Sequence, residues 1–165
     1  MPKTLYVVSS EPRSGKTLVC LGLVSALAAR TAKVAFLRPV AEALPGEADP
    51  DIRLILDHFG LDQDPADAYA VSREQAARLA AAGDREALLE AVAVAHARLG
   101  AGHEVVVCES GSASPGGEGV TFERDLEMAK ALGALVVVVV SGCGKTAEQA
   151  AEAARLAAAT VLGLG

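Results

Sequence analysis

The segment Ala134 to Ser141, ALVVVVVS, constrains this chain most. Side chains of a strand alternate between two faces, and here both faces are apolar. Such a strand belongs inside a parallel sheet covered by helices on each side. It is also far shorter than the roughly 20 apolar residues needed to cross a bilayer, so no membrane partner is expected. Other segments fit the same plan. Thr4 to Ser9 (TLYVVS), Lys33 to Arg38 (KVAFLR) and Glu104 to Glu109 (EVVVCE) read as strands, each a short apolar run with β-branched residues. Lys16 to Arg30 is apolar on nearly every side and reads as a buried helix.

Local signals mark the remaining elements. Asp49 caps and Pro50 opens a helix that runs toward Phe59 and stops at Gly60. Ser72 with Gln75 forms a capping box, and Asp84 opens another helix after a Gly83 stop. Phe122, Leu126, Ala129 and Leu132 mark one face of a further helix. Thr146, capped with Gln149, starts a last helix that runs to about Val161. Pro39 to Gly46 and Ser110 to Thr121 read as loops. Strand and helix alternate, which predicts an α/β fold: a doubly wound, mainly parallel sheet with helices on both faces. Ala158 to Gly165 reads as the approach to another strand, so the expectation is one domain over residues 1–165, truncated from a longer chain.

Composition narrows the function. A length of 165 residues suits a single core, and 52% hydrophobic against 22% charged residues excludes a disordered chain. With 3% aromatic residues and no Trp there is no stacking platform for single-stranded nucleic acid. The net charge of −6 lacks the basic footprint of a nucleic-acid binder, so a bound anion must be held by a local device. Cys20, Cys108 and Cys143 have no CxxC spacing, which indicates buried reduced thiols and a cytoplasmic protein. His58, His96 and His103 lack metal spacing, and no catalytic residue can be assigned.

That local device is the string SSEPRSGKT, Ser9 to Thr17, between the first strand and the first helix. In a phosphate-binding loop, backbone amides and a helix N-terminus surround a phosphate, a lysine reaches the outer phosphates, and a hydroxyl ligates magnesium. Gly15, Lys16 and Thr17 occur in the required order, although Ser10 stands where the first glycine of GxxxxGK[ST] belongs. Loop residues Ser10, Glu11, Pro12, Arg13 and Ser14 complete the candidate cofactor site, with Arg13 able to reach a phosphate. Glu11 occupies the place of the extra signature lysine of some nucleotide enzymes, which disfavours a dimer switch using lysine in trans. Magnesium needs hard oxygen ligands. Glu109, at the end of a strand, is the first carboxylate candidate beside Thr17, and Asp51 the next, since Asp49 has a structural task as helix cap. A second string, SGCGKT at Ser141 to Thr146, reads as a decoy, with Val139 at the first glycine position and Thr146 engaged as a cap.

Taken together, SSEPRSGKT, FLRPV at Phe36 to Val40, DPD at Asp49 to Asp51, VVCESG at Val106 to Gly111 and FERDLEMAKALGA resemble a known family. They resemble the dethiobiotin-synthetase-like P-loop domain found at the N-terminus of long bacterial phosphate acetyltransferases. The resemblance implies a site for ATP or another NTP with Mg, Lys16 and Thr17 on phosphates and metal, and Glu109 and Asp51 near the metal. Dethiobiotin synthetases carry a lysine in KPV that contacts a diamino substrate; Arg38 stands there, and a guanidinium does not replace a compact ammonium. The implied role is a regulatory nucleotide- or metabolite-binding domain, part of a homo-oligomer, whose acetyl-transferring partner domain lies C-terminal to it. An ATP- and Mg-dependent ligase of the dethiobiotin synthetase type and a vestigial assembly module are the alternatives.

Overall fold

The computed structural model describes residues 2–42, 49–111 and 118–163. Strands β1 (Lys3–Val8), β2 (Val34–Ala41), β3 (Tyr69–Ser72), β4 (Val105–Glu109) and β5 (Leu135–Val138) form one sheet in the order β3-β2-β4-β1-β5. Every neighbouring pair is parallel. The α-helices among the described residues are α1 (Lys16–Ala28), α2 (Pro50–Phe59), α3 (Arg73–Ala81), α4 (Arg85–Gly100), α5 (Glu118–Ala131) and α6 (Ala147–Gly163), with a 3-10 turn at Pro65–Asp67.

Alternation along the strands divides the core in two, as a sheet covered on both faces requires. Val7, Phe36 and Val107 pack with Cys20 and Val24 of α1 and Ile52, Ile55 and Leu56 of α2. On the other face Tyr6, Leu37 and Cys108 pack with residues of α3, α4 and α5, among them Val92 and Met128. Phe122, Leu126, Ala129 and Leu132 are all buried, the face that their spacing indicates. The caps read from the sequence are present: Asp49 accepts from the amides of Asp51 and Ile52, Ser72 and Gln75 close a capping box, and Asp84 accepts from Ala87.

Four features differ from the expectations. β5 reaches both core faces, through Val136 and Val138 on one and Val137 on the other. It nevertheless lies at the sheet edge, not in the interior, and Leu135 is 71% exposed. β2 continues through Pro39, where a loop was expected. Arg38 N donates toward β3, to Ala68 O at 2.8 Å, so the face of Pro39 that lacks an N–H points toward β4, whose pairing with β2 ends at Leu37. No ladder bond is lost there. Residues 158–163, expected to lead into a strand, are helical. Cys143, expected to be buried like Cys20 and Cys108, is exposed.

Candidate functional site

The register of β1 sets the site. Val7 pairs with Glu109, and Ser110 N donates to Val7 O at 2.9 Å, so β4 ends beside the start of the loop that follows β1. That loop turns sharply. Arg13 has φ 50° and Gly15 φ 90°, and the second value requires glycine because a side chain there would be strained even with open space around it. Ser9 Oγ accepts from the Glu11 amide at 3.1 Å and steadies the first turn. Helix α1 starts at Lys16 with no side-chain cap and no acidic residue in its first turn. Neither the cap nor the first turn therefore offers its leading amides and positive dipole end an acceptor, the condition under which a helix start receives an anion.

Lys16 is buried, only 7% exposed, and Thr17 Oγ1 donates to Glu109 Oε1 at 2.8 Å. Burial raises the Glu109 pKa, against the opposing pull of Arg38, the Thr17 hydroxyl and Lys16. Among the described residues Glu109 Oε2 and Ser14 Oγ are buried without a hydrogen-bond partner. Orphaned buried polar atoms carry a cost unless something satisfies them. Thr17 and Glu109, two hard oxygen donors in contact with one oxygen still vacant, fit magnesium. Asp51 does not join them. It pairs with Arg38, whose Nη1 also donates to the Asp49 carboxylate at 2.8 Å. No group of three or more His, Cys, Asp or Glu among the described residues is arranged to hold a metal ion. Pro12 and Arg13 are exposed, and Ser10 and Glu11 are half-buried at the loop's start.

Two further residues belong to this neighbourhood. Lys145 Nζ donates to Glu11 Oε1 at 2.7 Å and to Ser141 O at 2.8 Å, while the Ser141 amide donates to Glu11 Oε2 at 3.0 Å. The second Gly-Lys-Thr string thus touches the first loop. The Lys145 hydrogen bond holds the Glu11 carboxyl below its usual pKa. Asp125 on α5 is fully buried, its Oδ1 lies 3.9 Å from Arg124 Nη2 with the Ser110 hydroxyl and Lys16 also acting on it, and burial raises its pKa to about 7. Its position was available in the sequence: three residues after Phe122 and one before Leu126, it falls on the apolar face of α5.

A family model described as an AAA domain matches residues 3–164. The chain belongs to this family. Its P-loop domain is of the dethiobiotin-synthetase-like kind that the motifs resemble. Among curated proteins it is 35% identical over 150 residues to a phosphate acetyltransferase of Nitratidesulfovibrio vulgaris, covering 90% of this chain and 21% of that protein. It is 30% identical over 149 residues to a phosphate acetyltransferase of Synechocystis sp., covering 88% and 21%, and 29% identical over 136 residues to one of Acinetobacter baylyi, covering 82% and 18%. The chain therefore spans about a fifth of the length of the curated relatives it matches. No helix among the described residues is long and apolar enough to cross a membrane.

Proposed function

We propose that this domain binds a nucleoside triphosphate, ATP or another NTP, together with magnesium, and regulates a phosphate acetyltransferase of which it forms the N-terminal part. The observation that carries the reading is the uncapped start of α1 with Lys16 buried beside it and Thr17 held on Glu109. In this reading the loop amides and Lys16 hold the phosphates, and Thr17 and Glu109 hold the metal, which would neutralise phosphate charge. The relatives' names support the parent reaction, exchange of an acetyl group between coenzyme A and phosphate. Catalysis then resides in a C-terminal partner domain, and the isolated domain senses a nucleotide or small metabolite within a cytoplasmic homo-oligomer.

Ligase chemistry of the dethiobiotin synthetase type is the second reading, favoured by the Gly15-Lys16-Thr17 string and Glu109. The engagement of Arg38 by two aspartates speaks against it, and ATP-dependent carboxylation of a diamine by this chain would establish it.

The test is thermal unfolding with and without Mg·ATP. Ligand at about 100 times its Kd stabilises by roughly 2.7 kcal/mol, a shift of about 5 to 10 °C for a domain of this size. Lys16→Ala is expected to abolish it. Absence of any shift in the wild type would favour the assembly module.

A further inference from the structure

Arg38 is 2% exposed and sits where β2 leaves β4. One of its nitrogens serves both Asp49 and Asp51, and the Glu109 charge also acts on it. Asp49 is fixed independently: its carboxylate accepts from the backbone amides of Glu42 at 2.7 Å, Asp51 at 2.9 Å and Ile52 at 3.3 Å. Asp51 is the adjustable member, its side chain 34% exposed at the first turn of α2.

We propose that Arg38 is a resident cation that withholds Asp51 from the divalent ion, so that the site takes the ion on Thr17 and Glu109 alone and with low affinity. A metal that recruited Asp51 would leave a buried guanidinium with one counter-charge fewer, and leaving a buried charge short of partners is strongly unfavourable. Among the described residues the Arg38 Nε is already buried without a partner, and none of them offers it a spare acceptor. Loss of Arg38 would remove the cation that pairs with Asp49 and Asp51 and leave the Asp51 carboxylate available to an ion. The consequence for phosphate binding, that it depends little on the ion, rests on the nucleotide reading above; the ion affinity itself does not.

The experiment is titration of the full chain with Mn²⁺ alone, free ion being followed by electron paramagnetic resonance. Arg38→Gln keeps a donor for Asp49 and removes the charge. It is expected to bind Mn²⁺ at least tenfold more tightly than the wild type, and the double variant Arg38→Gln/Asp51→Asn to lose that gain. No gain in Arg38→Gln, or a gain that survives without Asp51, overturns the proposal. Should Arg38→Gln not fold, Arg38→Met takes its place, because it keeps an unbranched apolar stem and removes the charge; a gain of threefold or more that Asp51→Asn removes supports the proposal, and no gain overturns it. A second arm measures the ATP-induced unfolding shift of the wild type in EDTA and in Mg²⁺. A shift retained in EDTA supports ion-sparing binding, and one found only with Mg²⁺ counts against it. Absence of a shift under both conditions removes the nucleotide reading, while the Mn²⁺ titration still decides the role of Arg38.

Discussion

The loops that follow β1 and β5 both carry Gly-Lys-Thr, Gly15 to Thr17 and Gly144 to Thr146, and they leave neighbouring parallel strands at the same end of the sheet. Both glycines adopt positive φ, 90° and 71°. From there the two diverge. In the first, the lysine opens α1, is buried, and is followed by a threonine that donates to Glu109. In the second, the lysine turns back to Glu11 and the threonine caps α6, its Oγ1 accepting from the Gln149 amide at 3.3 Å. The neighbour makes the difference. β1 runs between β4 and β5, and β4 delivers a carboxylate to its loop; β5 has β1 on one side and, among the described residues, no strand on the other. A tripeptide acquires a phosphate-site geometry from what the adjoining strand ends with.

The comparison can be broken most directly by exchanging the lysines' fates. In the Mg·ATP unfolding assay Lys16→Ala is expected to remove the whole stabilisation of roughly 2.7 kcal/mol, whereas Lys145→Ala is expected to keep most of it. Equal losses would erase the distinction between the loops. Next in size is Asp125, whose carboxyl feels the Lys16 charge. Its pKa is raised by burial from 3.8 to about 7, so the native state holds the proton more tightly than the unfolded chain. Its stabilising contribution is present at low pH and is lost as pH rises through about 7. Asp125→Asn is expected to flatten chemical unfolding profiles between pH 4 and 8 and to raise stability above pH 7 by on the order of 1 to 3 kcal/mol. An unchanged profile would mean that the carboxylate is satisfied in solution.

Smaller effects sharpen the second loop's role. Thr146→Ala removes a helix cap and is expected to cost about 1 kcal/mol in urea unfolding with the ATP shift intact. The bridge between Glu11 and Lys145, a quarter exposed on each side, is expected to contribute no more than about 1 kcal/mol in a double-mutant cycle. Because the Glu11 pKa is lowered, that contribution is present above the ordinary carboxylate range and is lost as pH falls through the lowered value. A cycle energy that persists in strong acid would contradict the pairing.

What was legible in the sequence was mostly local. The caps at Asp49, Ser72, Asp84 and Thr146 are decided within one turn, and the aliphatic runs of β1, β2, β4 and β5 announce themselves. β3 was not read, because four residues, Tyr69–Ser72, carry too little pattern and are held by pairing with β2. Arg38, Asp49 and Asp51 were each noted, but nothing in their spacing reveals that one guanidinium serves both aspartates. Lys145 was set aside with its string, since contact with Glu11 joins positions 134 apart. Asp125 has no motif around it, and only the spacing of Phe122 and Leu126 places it on the apolar face of its helix.

The strand order also fixes a timetable. β1 precedes the other four strands in this chain, yet its neighbours are β4, which begins at Val105, and β5, which begins at Leu135. Closing such distant pairs is slow, and at roughly 5 to 20 residues per second the ribosome takes about 5 to 20 s to supply the intervening hundred or so residues. Throughout that interval the phosphate loop is tethered to an unpaired apolar strand. The contact of Thr17 with Glu109 forms only once β4 has arrived, so an early segment of the sheet waits for a late one and TLYVV needs shelter until then.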